Sequence, residues 1–221
     1  MCGQVPKALH AQTSWLRTSD GVRLYSATAG SGSTAIVLAH ESPGGMCGWL
    51  PAMRFIQAHG LQALAFDFRG FQPSDSPRMA IYDDLGPDLQ AAVDAAHADG
   101  AKKVFVMGAS FGGAAALTFG SQLHGVDGIV NLSGELNLVG RDLDAIDAVP
   151  KLHVPLLFIA SRDDPYLDAG DAQKLEHAAG STDKQLSLYP GTYHGWDLLY
   201  LAPFRGRVWS RILGWVEGYQ S

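Results

Sequence analysis

The sequence predicts an α/β fold: a doubly wound, mostly parallel sheet of about eight strands, with helices on both faces. Two observations carry this prediction. The segment Ser14–Ala29 has a turn signal at Ser19-Asp20-Gly21 between two strand-like stretches, which predicts an N-terminal antiparallel hairpin. After it, short apolar runs alternate with helical stretches, and such continuous hydrophobicity is typical of strands buried on both faces. One domain over 1–221, without a substantial lid, is expected.

The predicted parallel strands are short segments spread along the chain after the hairpin. They are Ala35–Ala39, Ala63–Phe66, Val104–Met107, Gly128–Leu132, Pro155–Ala160 and Gln185–Tyr189. Gly30-Ser-Gly32 is expected to form a hairpin turn.

Helical spacing of apolar residues predicts the helices between these strands. Leu85, Leu89, Val93 and Ala96 follow the candidate caps Asp83 and Asp84, and a second helix is predicted over Ala114–Leu123. A C-terminal helix carries one apolar stripe, assigned to the core, of Phe204, Val208, Ile212, Trp215, Val216 and Tyr219.

Composition excludes several classes of function. The 221 residues are 47% hydrophobic with a net charge of −6, and the basic residues are scattered, so no nucleic-acid partner is expected. No apolar run approaches a membrane span, and the start of the chain lacks the apolar core of a signal peptide. Cys2 and Cys47 are expected to be free thiols, which favours a cytoplasmic protein. No metal-ligand spacing or phosphate loop is present, so no cofactor is expected.

A glycine-flanked serine, Gly108-Ala-Ser110-Phe-Gly112, lies between a predicted strand and an alanine-rich helix. A sharp strand-to-helix turn forces the serine into a strained backbone conformation, and glycines two positions either side remove side chains that would collide. The helix N-terminus also favours negative charge beside the serine. Ser110 is therefore the predicted nucleophile.

With that elbow, three further motifs resemble the α/β-hydrolase fold family, in its lidless, serine esterase-like form. They are Asp67-Phe-Arg69-Gly70-Phe-Gln-Pro-Ser74, Ser161-Arg-Asp-Asp164-Pro165 and Tyr193-His194-Gly195. The resemblance spans nearly the whole chain and implies a Ser-Asp-His hydrolase.

The predicted base is His194, in a loop between the last strand and the last helix, because a neutral imidazole can take and return a proton near neutral pH. The acid must accept the other ring N–H. Asp164 is preferred, because Ser161-Arg-Asp-Asp164 fits the family's pattern with Ser161 in place of the usual glycine. Asp163 is the alternative if Ala160 is the small residue, and Glu135 is an outsider.

Two backbone amides are predicted to form the oxyanion hole, those of Phe111 and Ser42. The preceding Glu41 stands where most relatives have glycine. A comparable glutamate occurs in the dienelactone-hydrolase-like branch, where it contacts the nucleophile, although that branch typically uses cysteine. We hypothesise that Glu41 lies near Ser110 and gates its activation, while a solvated loop carboxylate is the equally weighted alternative.

Aromatic and apolar residues near the predicted strand ends are expected to form an open subsite for a small to medium apolar acyl or aryl group. They are Met46, Trp49, Phe71, Tyr166 and Trp196. Arg162 and Arg141 are candidates to bind an anionic group of the substrate, which stays open as an alternative.

The sequence thus predicts a cofactor-independent hydrolase of carboxylic esters, with thioesters as a variant. Dienelactone-hydrolase-like, acyltransferase or perhydrolase chemistry at the same triad is an alternative, as is a non-catalytic ligand-binding member of the fold. An aspartate-nucleophile enzyme is disfavoured, because position 110 is serine.

Overall fold

The computed structural model describes residues 9–76, 84–138 and 142–219. Within them the strands are β1 (Gln12–Arg17), β2 (Arg23–Ala29), β3 (Thr34–Ala39), β4 (Gln62–Phe66), β5 (Lys103–Ala109), β6 (Gly128–Leu132), β7 (Asn137–Leu138), β8 (Leu143–Asp144), β9 (Leu156–Ser161) and β10 (Lys184–Tyr189). The helices are α1 (Leu50–Ala58), α2 (Gly86–Ala98), α3 (Phe111–Phe119), α4 (Ala145–Ala148), α5 (Ala169–Ala178), α6 (Asp197–Tyr200) and α7 (Arg205–Glu217).

Eight of these strands form one sheet in the order β1-β2-β4-β3-β5-β6-β9-β10, and β7 and β8 pair separately. β1 and β2 form an antiparallel hairpin with Trp15 opposite Tyr25, and β2 is antiparallel to β4. The other neighbours in the sheet are parallel. The predicted fold class is therefore confirmed, including the hairpin and the predicted strands.

The sheet separates two layers of apolar side chains, because successive residues of a strand point to opposite faces. In β3, Ala35 and Val37 pack with α2, α3 and α5 on one face. Ile36 and Leu38 pack with α1, α6 and α7 on the other. β3, β4, β6 and β9 are buried at every position, which explains why their residues are mostly apolar.

The observed helices start close to the predicted positions. Asp84 Oδ1 accepts the backbone N–H of Gly86 at 3.1 Å at the start of α2, whereas Asp83 lies outside the described residues. α3 begins at Phe111, earlier than predicted, because the chain turns into it directly after Ser110. The apolar stripe at α7 is in the core from Phe204 to Val216, and Tyr219 is partly buried against it.

Two expectations are wrong. Gly30–Gly32 is not a hairpin turn, because β4 lies between β2 and β3 in the sheet. The glycines are needed instead because a Cβ at Gly30 would lie 2.3 Å from the carbonyl oxygen of Leu61. Cys47 is disulfide-bonded, so it is not a free thiol, and Cys2 lies outside the described residues. The cytoplasmic location stays a prediction and loses that support.

The parallel strands place their carboxyl ends at one edge of the sheet, where the loops that carry the candidate residues meet. Glu41 follows β3, Ser110 follows β5, Asp164 follows β9, and His194 follows β10. In the part of the chain that is described, no helix is both long and apolar enough to cross a bilayer.

Candidate active site

Ser110 forms a sharp turn between β5 and α3. Its φ of 47° and ψ of −119° lie in a region that non-glycine residues rarely adopt. A Cβ at Gly108 would lie 2.3 Å from the carbonyl oxygen of Gly112, and one at Gly112 would lie 2.2 Å from that of Ala39. The two glycines therefore permit the strained turn and the close approach of α3 to β3.

The backbone of Ser110 is held on both sides. Its N–H donates to the carbonyl of Leu132 at 2.9 Å, and its carbonyl accepts from Ala114 N–H at 2.9 Å within the first turn of α3. The residue is buried, with 8% of its surface exposed. Among the described residues, Ser110 Oγ makes no hydrogen bond.

His194 and Asp164 form a close pair. Nδ1 of His194 lies 2.9 Å from Oδ1 and 2.9 Å from Oδ2 of Asp164, which is only 2% exposed. Oδ1 also accepts the backbone N–H groups of Tyr166 at 2.9 Å and Leu167 at 3.3 Å. These donors hold the carboxylate in place beneath the imidazole.

Asp163 occupies a different position. It is exposed, and its backbone N–H donates to the carbonyl of Gly191 at 3.0 Å, which joins the loop after β9 to the loop that carries His194. The structure thus brings Asp164, and not Asp163, to the imidazole. Glu135 adds its negative charge to the environment of His194.

The environment of His194 favours its protonated form. Burial alone would lower the pKa of the imidazole, but the hydrogen bond and negative charge of Asp164 outweigh burial, and Glu41 and Glu135 add to the effect. The pKa of His194 is therefore raised above its usual value. Because Nδ1 faces Asp164, Nε2 is the nitrogen that remains to exchange a proton.

Glu41 lies beside both the nucleophile and the base loop. Its Oε2 accepts the backbone N–H of Trp196 at 3.0 Å. A Cβ at Gly195 would lie 2.1 Å from Glu41 Oε2 and 3.7 Å from Ser110 Cβ, so the carboxylate, Gly195 and Ser110 are neighbours. Burial raises the pKa of Glu41, and the negative charge of Asp197 raises it further. The hydrogen bond from Trp196 N–H and the charge of His194 act in the opposite direction and lower it.

His40, at the end of β3, is fully buried and bonded through both ring nitrogens. Nδ1 lies 2.9 Å from the carbonyl oxygen of Glu41, and Nε2 lies 3.2 Å from the backbone nitrogen of Phe68. Because Phe68 N–H can only donate, Nε2 must accept and Nδ1 must carry the proton. This tautomer fixes the Glu41 carbonyl towards the ring, so the Ser42 N–H of the same trans peptide points the opposite way.

The two predicted oxyanion donors lie at the ends of neighbouring strands. Phe111 opens α3 directly after Ser110, and Ser42 is half-buried in the loop after β3. The indole ring of Trp196 packs against the loop after β3, since a Cβ at Gly44 would lie 2.5 Å from that ring. Tyr200 adds a second brace by donating its hydroxyl hydrogen to the carbonyl of Gly48 at 2.9 Å.

Three of the five predicted substrate-contacting residues reach the surface near the site. The Tyr166 ring lies with its centroid 4.7 Å from that of His194 and is 62% exposed. Phe71 and Trp196 are half-buried. Met46 and Trp49 have no exposed surface and pack in the core, so they do not line an open pocket in this structure.

Asp67 and Arg69 hold the turn after β4. Asp67 Oδ1 accepts Met46 N–H at 2.7 Å, which ties this turn to the loop after β3. Arg69 donates from Nε to the buried Asp88 at 2.8 Å and from Nη1 to Asp20 at 2.8 Å. These contacts join the hairpin, β4 and α2.

Sequence reasoning missed the links between loops. The Trp196 N–H that binds Glu41 and the Tyr200 hydroxyl that binds the Gly48 carbonyl join residues that are distant in sequence. A single sequence carries no signal for such pairs. No group of three or more His, Cys, Asp or Glu side chains suited to a metal occurs in the residues that the structure describes.

Comparison with known proteins supports a family assignment. The model of the Dienelactone hydrolase family matches residues 69–213. A curated relative from Saccharolobus solfataricus, named "Putative carboxymethylenebutenolidase", is 29% identical over 108 residues, which are 48% of this chain and 39% of that protein. The match thus spans well under half of the curated relative's length.

Solved structures with the same fold include two esterases. The esterase of Pyrococcus furiosus superposes with a TM-score of 0.87 at 17% identity, over 100% of this chain and 96% of that one. The esterase of Exiguobacterium antarcticum gives a TM-score of 0.77 at 15% identity, over 93% and 100% of the two chains. These likenesses identify the α/β-hydrolase fold.

Proposed function

The chain belongs to the dienelactone hydrolase family, and from this premise we propose that it is a serine hydrolase of carboxylic esters, with Ser110, His194 and Asp164 as its triad. One observation carries the proposal: a buried carboxylate holds His194 Nδ1 at 2.9 Å in the loop beside the strained Ser110 turn. This is the orientation that a Ser-His-Asp triad requires of its base.

The proposed reaction passes through an acyl-enzyme. Ser110 Oγ attacks the ester carbonyl while its proton moves to Nε2 of His194, and the imidazolium is stabilised by Asp164. The carbon–oxygen bond to the leaving alcohol then breaks as His194 returns the proton to that alcohol. Water repeats the two steps, with His194 as base, and releases the carboxylic acid and free Ser110.

The negative oxygen of the tetrahedral intermediate is proposed to bind the N–H groups of Phe111 and Ser42. The N-terminus of α3 contributes its dipole to the same oxygen. The bond from His40 Nδ1–H to the Glu41 carbonyl supports the role of Ser42, because it fixes the peptide that carries the second N–H. Glu41 is proposed to gate the activation of Ser110 in the resting enzyme, since its carboxylate neighbours Ser110.

The substrate is proposed to be an ester with a small to medium apolar acyl or aryl group. Phe71, Tyr166 and Trp196 offer aromatic surface around the elbow and the base. Between β6 and β9 the described chain adds the two-residue strands β7 and β8, the short α4 and a 3₁₀ turn at Val149–Lys151, and so supplies no large lid there. A site without a large lid is proposed to fit small substrates and to leave water access to the acyl-enzyme.

Labelling with a fluorophosphonate tests the proposal. The protein should be labelled at Ser110, and Ser110→Ala should lose both labelling and hydrolysis of p-nitrophenyl esters. Ser121→Ala, which removes an exposed hydroxyl far from the elbow, serves as the matched control and should retain both. A folded wild-type protein that neither reacts nor hydrolyses esters would instead be a ligand-binding member of the fold.

A further inference from the structure

Tyr166 presents a large aromatic side chain to solvent beside the candidate base. The residue is 62% exposed. The centroid of its ring lies 4.7 Å from that of the His194 imidazole, and the two ring planes are tilted by 55°. Its backbone N–H donates to Asp164 Oδ1 at 2.9 Å. The ring therefore packs on the base while most of the surface of the residue stays open.

The loop that carries Tyr166 is fixed on both sides of that residue. The next residue, Leu167, is 1% exposed, and its N–H donates to Asp164 Oδ1 at 3.3 Å. The loop closes where the N–H of Ala169 donates to the carbonyl of Arg162 at 3.1 Å. The Tyr166 ring is thus held next to the imidazole before a substrate binds, and a contact that is ordered in advance costs less entropy on binding.

The same loop carries one of the two arginines that the sequence offered as anion partners. Arg162 is exposed, and its backbone N–H donates to the carbonyl of Tyr189 at 2.8 Å. Arg141 lies outside the described residues. Neither arginine is needed for a contact between the Tyr166 ring and an uncharged substrate group.

The proposed reaction places the two halves of an ester on different sides of the site. His194 Nε2 returns a proton to the alcohol oxygen, so that oxygen must come within about 2.6–3.2 Å of Nε2. The group bonded to the alcohol oxygen then lies beside the imidazole, where the Tyr166 ring packs. The acyl group stays bonded to Ser110, next to Phe111. There the half-buried ring of Phe71 has its centroid 5.8 Å from that of Phe111.

We propose that Tyr166 is a specificity-determining residue that binds the alcohol half of the substrate, so that the site prefers esters of aromatic alcohols. An aromatic ring on the alcohol can stack on the Tyr166 ring or meet it edge to face, and such pairs contribute binding energy beyond the apolar area that they bury. The inference rests on the proposed hydrolase function, because it assigns the substrate class of that same site.

Two acetates that differ only in the alcohol test the inference. Benzyl acetate and cyclohexylmethyl acetate share the acyl group and are similar in size, but only the first carries an aromatic ring. Both give the same acetyl-enzyme, so a difference in kcat/KM arises before the alcohol leaves. We expect the wild type to have the higher kcat/KM for the benzyl ester. Gas chromatography of the released alcohol measures both rates.

Two variants of Tyr166 identify the source of the preference. Tyr166→Phe keeps the ring and should keep the ratio of kcat/KM for the benzyl ester to that for the cyclohexylmethyl ester. Tyr166→Leu keeps an apolar side chain without the ring, so this ratio should fall by about three- to tenfold. The intrinsic reactivities of the esters cancel when the ratios of the two proteins are compared. A purely structural role of Tyr166 would lower both rates together and leave the ratio unchanged.

A control variant and a control pair of esters accompany this test. Trp15 is 49% exposed and lies on β1, at the opposite edge of the sheet from β10, so Trp15→Leu should leave the ratio unchanged. Ethyl phenylacetate and ethyl cyclohexylacetate carry the ring in the acyl half instead. The ratio of kcat/KM for these two esters should change by less than about twofold in Tyr166→Leu, because their acyl groups point away from the Tyr166 ring.

The outcomes separate the inference from the proposed function. An equal acetate ratio in the wild type and Tyr166→Leu overturns the inference and leaves the hydrolase standing. An equal effect of Tyr166→Leu on the acyl pair does the same, because the ring would then not distinguish the two halves. Labelling of Ser110 by a fluorophosphonate, with cleavage of none of the four esters, also overturns the inference alone. A folded protein that is neither labelled nor active on any of them overturns the proposed function, and the inference falls with it.

Discussion

His194 Nδ1 lies 2.9 Å from both carboxylate oxygens of Asp164. An imidazole shared so evenly between two oxygens is restrained in both position and tautomer, and the raised pKa of His194 reflects the same contact. Asp163, the adjacent residue, is exposed and contributes only its backbone N–H to the base loop. Two neighbouring aspartates therefore have separate roles that mutation can distinguish.

Asp164→Asn should lower kcat by about 10³- to 10⁴-fold, because an amide that donates to Nδ1 selects the wrong tautomer of the base. Asp163→Asn should change kcat by less than about twofold, since an exposed side chain is altered. Steady-state kinetics on a p-nitrophenyl ester measures both. A large loss in Asp163→Asn with none in Asp164→Asn would reverse the assignment of the acid.

Glu41→Gln should shift the acid limb of the kcat/KM profile to lower pH. His194 must be neutral to accept the proton, so kcat/KM rises as pH rises through its pKa. The charge of Glu41 helps to raise that pKa above the usual 6.5, and its removal lowers the pKa. Glu217→Gln is the control for net charge. An unmoved profile in Glu41→Gln would refute an electrostatic role of Glu41 at the site.

The sequence and the structure agree most closely where one segment determines the outcome. Buried strands such as β3 and β9 are almost entirely apolar, and the Ser110 elbow needs only its own glycines. Agreement is poorer where distant segments meet. Gly30 is required by the backbone of Leu61, and the burial of Met46 and Trp49 depends on packing from α1, α6 and α7.

The choice between Asp163 and Asp164 shows the same limit within one motif. Both residues follow the same strand, and local spacing left both open as partners of the base. Burial separates them, since Asp164 is enclosed by the N–H groups of Tyr166 and Leu167 while Asp163 faces solvent. That difference depends on how the loop folds back over its own carboxylate, which no single position in the motif encodes.

His40 should make the stability of the fold depend on pH. Burial lowers the pKa of His40 to about 4, and the bond to the Glu41 carbonyl only partly opposes this. Between pH 6.5 and 4 the unfolded chain binds a proton at this position and the folded chain does not, so stability falls as pH falls. The full contribution is about 3 kcal/mol.

His40→Phe should remove that dependence. It should also cost roughly 1–3 kcal/mol near neutral pH, because Phe68 N–H and the Glu41 carbonyl lose their partner. Urea denaturation of the wild type and of His40→Phe between pH 6.5 and 4 gives the free energy of unfolding of each protein. The titration of other groups cancels in the difference between the two free energies. A constant difference between the two proteins from neutral to acidic pH would contradict a lowered pKa of His40 in the folded protein.

Gly195→Ala tests whether the contact between the base loop and Glu41 matters for turnover. Gly195 has a φ of 47°, and an added Cβ would lie 2.1 Å from Glu41 Oε2 and 3.7 Å from Ser110 Cβ. The methyl group must displace the carboxylate or the loop that carries His194. We expect kcat to fall by about tenfold or more, with a loss of about 1–2 kcal/mol in the free energy of unfolding.

Gly214→Ala is the matched control for Gly195→Ala. A Cβ at Gly214 would meet no atom within 4 Å, and the residue lies inside α7. Alanine is a better helix former than glycine, so this variant should gain about 0.5–1 kcal/mol and keep its kinetics. Wild-type kcat in Gly195→Ala would mean that the carboxylate moves aside without cost, and that the base loop does not depend on Glu41 for its position.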